Sequence, residues 1–336
     1  MKEAVSFDDV LLTPGYSDIT SRSEIDAGST LGQMYFSLPV ISSPMDTVTE
    51  VGMSQALSTA GGVGIIHRYN SIEEQAGLVA NLRTQSIHTG AAIGITGDFL
   101  ARAETLVEND VSFLCVDVAH GHHALVKGAL TSLREALPSD THIMAGNVAT
   151  LQGFNDLADW GASSIRVGIG GGSICSTRIQ TGHGVPTLQS VIECAQSDRN
   201  ATLIADGGFK TSGDIVKALA AGADFVMLGS MLAGTEEAPG EIIYNNGAAF
   251  KVYRGMASKE AQVEWRGRFS SNEGVTGWLP FKGSVGPILE DLERGIRSGL
   301  SYSGARNLLE LRAKHEFIRQ TPAGQTESGT RIQRKL

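Results

Sequence analysis

Ser164-Ile-Arg-Val-Gly-Ile-Gly-Gly-Gly-Ser-Ile-Cys175-Ser-Thr177-Arg178 is the stretch on which the fold of this chain is read. A short β-branched run feeds directly into a glycine-rich turn, and the turn ends in a cysteine with a threonine two residues on. Glycines in such a turn admit positive φ and let the backbone approach an ion closely. A cysteine at a strand end beside a hydroxyl is a candidate nucleophile. The competing reading, a small buried hydrophobe, suits Cys115 within Phe113–Asp117 and Cys194 within Leu188–Ala195.

Seven further apolar runs share the pattern of this strand: 38–45, 62–67, 91–95, 113–119, 142–148, 202–207 and 225–229. Most are continuously apolar, as strands buried on both faces are. Stretches with 3.6-residue periodicity separate them, among them 72–83, 100–109, 124–137 and 214–221. Eight alternations of strand and helix predict an α/β fold, a closed (β/α)8 TIM barrel spanning 1–336 as one catalytic domain, with an open doubly wound sheet as the alternative. The segment 254–282 after the last strand reads as a long irregular lid loop. The polar, basic tail 320–336 reads as mobile unless a ligand or a neighbour orders it.

Composition narrows the function. The chain has 336 residues, 41% hydrophobic and 19% charged, which is ample for a large core. The 41 glycines suit many tight turns, and a net charge of −9 disfavours nucleic acid or an anionic membrane as partner. Three cysteines make no disulfide framework and no zinc spacing. The acidic start Met1-Lys-Glu-Ala-Val-Ser-Phe-Asp-Asp lacks the apolar run of a signal peptide, and no window approaches the length of a membrane span. A cytoplasmic setting is expected.

In a barrel, chemistry collects at the C-terminal ends of the strands. Polar residues cluster there: Ser43 and Asp46, His67-Arg68, Asp117 and His120, Asn147, Cys175, Asp206-Gly207-Gly208 and Gly229-Ser230. Glycine turns after the last three strands favour a phosphorylated ligand held by backbone N–H groups, with Ser173 and Ser230 as added donors. Asp117 can accept from a ribose hydroxyl or an amide, or cap a helix. The three histidines 120, 122 and 123 are out of phase for a metal cluster.

With these residues in place the chain resembles the IMP dehydrogenase/GMP reductase family. The resemblance rests on Phe7-Asp-Asp-Val-Leu-Leu, Ser43-Pro-Met-Asp-Thr-Val, Gly146-Asn-Val and Gly168–Arg178 with Thr181-Gly-His-Gly. It continues through Asp206-Gly-Gly, Gly222-Ala-Asp-Phe-Val-Met-Leu-Gly, Tyr253-Arg-Gly-Met, Glu273-Gly, Pro280-Phe-Lys-Gly and Gly295-Ile-Arg-Ser-Gly. It implies a (β/α)8 barrel that assembles as a homotetramer on a purine mononucleotide. Cys175 would attack C2 of the purine, forming a thioimidate, and Thr177 with Glu273 would carry protons. The nucleotide would be held by Ser43, Met45, Ser173, Asp206, Gly207, Gly208, Gly229, Ser230, Tyr253, Gly255, Met256, Ala257 and Gly274. Ser21, Arg22, Arg68, Asp117, Val118, Ala119, Asn147, Ile169 and Gly170 would face the nicotinamide cofactor. Gly170, Gly172, Cys175 and Arg178 would hold a monovalent cation, K+ in kind.

Two activities share that machinery. GMP reductase would release ammonia from GMP and reduce C2 with NADPH to give IMP. IMP dehydrogenase would pass hydride to NAD and then hydrolyse the intermediate to XMP, using a mobile flap with an Arg-Tyr pair. Here Gly274 lies only eighteen positions after Met256, and the nearest pair is Arg268-Phe269, which has no hydroxyl. Ser21-Arg22 resembles the reductase segment, and 64–95 leaves no room for a pair of CBS domains. Ser42-Ser-Pro-Met-Asp-Thr-Val-Thr-Glu, Gly64-Ile-Ile-His-Arg-Tyr-Asn, Thr321-Pro-Ala-Gly-Gln-Thr-Glu-Ser, Ala257 and Ser270 lean toward a dehydrogenase lacking CBS domains. The flap decides for the reductase, because it is tied to the one step that differs.

Overall fold

All eight apolar runs become strands of one closed parallel sheet, so the barrel is realised and the open sheet is not. The computed structural model describes residues 2–269 and 272–330. In chain order the barrel strands are Val40–Ser42, Val63–Ile66, Thr89–Ile93, Phe113–Asp117, Ile143–Val148, Ser164–Val167, Thr202–Asp206 and Phe225–Leu228. Each pairs with the next, and the eighth closes on the first through Val226↔Val40, Met227↔Ile41 and Leu228↔Ser42.

Strand side chains alternate between two faces, and here the alternation separates two cores. Ile41, Ile65, Ala92, Phe113, Cys115, Met144, Ile204, Phe225 and Met227 fill the barrel. Their neighbours, such as Val40, Ile66, Ile93, Leu114, Val116, Ile165, Val167 and Val226, pack outward under the helices. A hairpin of Ser29–Leu31 and Met34–Phe36 plugs the lower end, with Leu31 and Phe36 joining the inner core. Local signals fix the outer helices. Ile72–Thr84 begins at a reciprocal cap in which Ser71 accepts from the Glu74 N–H and Glu74 accepts from the Ser71 N–H. Thr211 and Asp214 start Ser212–Ala220 in the same way.

Two segments differ from the sequence expectation. The lid is not irregular: Ala248–Arg254 pairs antiparallel with Thr276–Pro280 on one side and Ile243–Asn245 on the other. Between them Lys259–Arg266 forms a helix, capped by Ser258 and ended by Gly267 at φ 69°. Its polar composition and two-turn length hide it from a periodicity search. The tail carries structure from its start. Phe317–Arg319 pairs with Val10–Leu12, Gln320 bonds to the carbonyls of Asp8 and Asp9, and Pro322–Glu327 is helical. The last part of the tail, 331–336, lies outside the described residues.

Candidate active site

The sixth strand leads into the turn that carries Cys175, the candidate nucleophile. Its chain leaves the barrel at Gly168, at φ 150°, where a Cβ would sit 2.2 Å from the Asp206 carbonyl oxygen; only glycine fits. The turn closes with the Cys175 N–H donating to the Gly172 carbonyl at 3.1 Å. The lid then stitches onto it. The Ser176 N–H donates to the Glu273 carbonyl, the Ser176 hydroxyl to the Asn272 carbonyl, and the Val275 N–H to the Ile174 carbonyl. This brings together residues almost a hundred positions apart: the Cys175 thiol lies 3.2 Å from Thr177 Oγ1, and Thr177 donates to Glu273 Oε2 at 2.9 Å. Thiol, hydroxyl and carboxylate form one chain along which a proton can move.

Around it opens a cleft of about 780 Å³ at the C-terminal end of the barrel. All thirteen residues expected to hold a nucleotide line it. Gly229 is the pivot of one end: a Cβ there would lie 3.0 Å from Tyr253 Oη, 3.4 Å from Met45 Sδ and 3.5 Å from Ser43 Oγ. Tyr253 is 4% exposed. Burial pushes its phenol up to about 12, against the opposing effect of a hydrogen bond with Ser173, so it stays neutral. Gly207 and Gly208, at φ 82° and 88°, bring the loop after the seventh strand against Gly171 and Gly172. Neutral donors and bare backbone at this end suit a phosphate.

The other end holds Arg68, Asp117, Val118, Ala119, Asn147, Ile169 and Gly170. Arg68 Nη2 donates to the Asp117 carbonyl at 3.4 Å, while its Nε is buried without a partner. An orphaned guanidinium N–H in a long cleft fits a polar, anionic ligand such as a dinucleotide. Ser21 and Arg22 do not join this end. They lie outside the cleft, where Ser21 caps a short 3-10 turn and the Arg22 carbonyl accepts from Arg297 on the helix Gly286–Tyr302.

For a cation, the turn offers the carbonyls of Gly170, Gly172 and Cys175, all in the cleft wall. Arg178 is placed differently. Its carbonyl accepts the Gly182 N–H, its guanidinium donates to the Val185 carbonyl, and its stem packs on Gly170 and Gly184. Its guanidinium adds positive charge beside the turn. No group of three or more His, Cys, Asp or Glu that could hold a metal occurs among the described residues. His122 pairs with Asp156 and His123 caps the helix Ala124–Ala136, so the histidines remain apart. Cys115 and Cys194 are fully buried, their thiols pushed up to about 12 by burial, as packing residues.

Three features escaped the sequence reading. Tyr69 stacks on Trp265 of the lid helix at 5.7 Å and 12°, and its hydroxyl donates to the Met256 carbonyl at 2.5 Å. Arg254 ties the lid to Asp46 through Nε at 2.8 Å and also pairs with Glu264. Arg166 sits inside the barrel between Asp117 and Asp206. The signal for Arg166 was present: alternation along Ser164-Ile-Arg-Val places it on the inner face, with Ser164.

Comparison with known proteins agrees with this geometry. The family profile described as IMP dehydrogenase / GMP reductase domain matches residues 4–331. Inosine-5'-monophosphate dehydrogenase of Nitrosopumilus maritimus is 34% identical, over 97% of this chain and 98% of its own. That alignment spans 466 positions, so the relative carries at least 130 residues without a counterpart among the 336 here. GMP reductase of Leishmania major is 30% identical over 100% of this chain and 98% of its own. A crystal structure of a cysteine-to-alanine variant of GMP reductase from Trypanosoma brucei, in complex with guanosine 5'-monophosphate, superposes with a TM-score of 0.94. It is 30% identical and covers 99% of each chain.

Proposed function

Because this chain belongs to the IMP dehydrogenase/GMP reductase family of oxidoreductases acting on purine nucleotides, we propose that it is a GMP reductase, converting GMP to IMP and ammonia with NADPH. The observation that carries the reading is the Cys175–Thr177–Glu273 chain, set beside a lid too short for a separate water-activating pair. The Cys175 thiol gives its proton through Thr177 to Glu273 as sulfur attacks C2 of the purine. The same proton returns through Thr177 to the departing 2-amino group, which leaves as ammonia, and C2 is left bound to sulfur as a thioimidate. The reduced nicotinamide, when bound, supplies the hydride to C2, and the C2–S bond then breaks to give IMP and the Cys175 thiolate. Ser43, Ser173, Ser230, Tyr253 and the glycine loops hold the mononucleotide. Asp206 accepts from its ribose. Arg68 and Asp117–Ala119 orient the cofactor, and the carbonyls of Gly170, Gly172 and Cys175 are candidate ligands for a monovalent cation.

A dehydrogenase needs an activated water. Arg268 lines the cleft and favours that second reading, but its neighbour Phe269 is exposed and has no hydroxyl to share in proton transfer. The test is direct. Purified protein given GMP and NADPH should oxidise NADPH and release ammonia in equal amounts. Turnover of IMP with NAD to XMP, with none of GMP, overturns the proposal in favour of a dehydrogenase.

A further inference from the structure

The top layer of the barrel interior is charged. Asp117 and Asp206 end two strands, Arg166 is the last inward-facing residue of the strand Ser164–Val167, and Arg166 is only 6% exposed. Its Nε and Nη2 donate to Asp206 Oδ2 at 3.1 and 2.8 Å, and its Nη1 donates to Asp117 Oδ1 at 2.5 Å. Asn147 Nδ2 adds a bond to Asp206 Oδ2 at 2.8 Å. Three donors therefore meet on one oxygen of Asp206. The other oxygen, and Oδ2 of Asp117, have no hydrogen bond among the described residues and are not sealed from the cleft that both residues line. Burial opposes the charge on Arg166, but the two carboxylates outweigh it and hold the guanidinium protonated.

We propose that Arg166 is a positioning residue that couples the two halves of the cleft: one guanidinium clamps Asp206 on the nucleotide side and Asp117 on the cofactor side, so that each half depends on the carboxylate of the other. The inference rests on the purine-nucleotide reading above. Arginine is needed because its planar fork presents separate N–H groups to two carboxylates in fixed geometry; a lysine ammonium is a single point that cannot span them in the same way. In a buried network of this kind, loosening one carboxylate lets the guanidinium follow the other, and the effects of substitution are non-additive.

The experiment uses the full chain carrying Cys175→Ala, so that nothing turns over, with calorimetric titration of GMP, IMP, NADPH and NAD. Asp117→Asn should weaken mononucleotide binding by about threefold or more, and Asp206→Asn should weaken dinucleotide binding by a similar factor. In an Arg166→Lys background both cross-effects should shrink below about 1.5-fold. Cross-effects that are absent with Arg166 in place, or equal in the two backgrounds, overturn the proposal. The first of these outcomes needs no change at position 166, so it stands even if Arg166→Lys does not fold. Cross-effects found in the Cys175→Ala protein, when the native chain turns over IMP with NAD and not GMP with NADPH, keep the coupling while refuting the reductase reading. Failure to bind any of the nucleotides overturns both.

Discussion

Cys175 is set apart from the other two cysteines by its partial exposure and by what stands next to it. Cys115 and Cys194 are fully buried with thiols pushed up by burial, Cys115 with Arg166 Nη1 at 3.6 Å, whereas Cys175 has Thr177 at 3.2 Å and, through it, Glu273. Cys175→Ala should abolish turnover and leave GMP binding within a few-fold of the native value, measured by NADPH oxidation and calorimetry; retained turnover removes the covalent step. Glu273→Gln keeps the shape but not the proton acceptor. It should slow ammonia release at least about 100-fold with little change in GMP affinity, and an unchanged single-turnover rate takes Glu273 out of the mechanism. At this scale the sequence was largely legible, because motif residues lie close together in the chain. The Cys175–Thr177 spacing could be read directly, but the bond from Thr177 to Glu273 spans 96 positions and depends on how the lid docks.

The lid shows where elements become legible and where they do not. Barrel strands declare themselves through apolar runs, and outer helices through caps and a wide apolar stripe. Lys259–Arg266 has neither a long stripe nor length, and only Ala261 and Gln262 are buried within it. What holds it down is tertiary: the Tyr69–Trp265 stack, the Tyr69 hydroxyl on the Met256 carbonyl, and Arg254 between Asp46 and Glu264. An aromatic stack of this kind contributes about 0.5–1.5 kcal/mol. Trp265→Ala should therefore raise the cofactor KM by about 2–10-fold while thermal stability moves little, since the helix lies on the surface. A KM equal to the native value shows that the stack does not hold the lid over the cofactor half.

Over the whole molecule, stability is distributed between the two cores, with polar groups enclosed at the lower end of the barrel. His142 bonds Ser164 Oγ at 2.9 Å, meets Phe113 edge-on at 5.2 Å and packs under Gly32 of the plugging hairpin. Burial, helped by Arg134, lowers its imidazole to about 4, against about 6.5 in an unfolded chain. Between those values the unfolded chain binds more protons than the folded one. Stability from this group is thus complete above about pH 6.5 and is lost as pH falls toward 4, by at most about 3 kcal/mol. Melting temperatures of His142→Gln measured from pH 7 to pH 4.5 should fall less than those of the native chain; parallel curves show that His142 does not set the acid limb. The sequence by itself determined the barrel, and it pointed to the candidate nucleophile and the candidate nucleotide-holding loops. Each of these rests on local order, the period of apolar residues along a strand and glycines where backbone must turn or approach closely. The tertiary structure decided the rest. It closed the eighth strand on the first, folded the lid, separated Ser21 and Arg22 from the cleft, and joined Asp117 and Asp206 through Arg166. Those relations are between residues far apart in the chain, and only the packing of whole elements brings their charges and hydrogen-bonding groups within reach of one another.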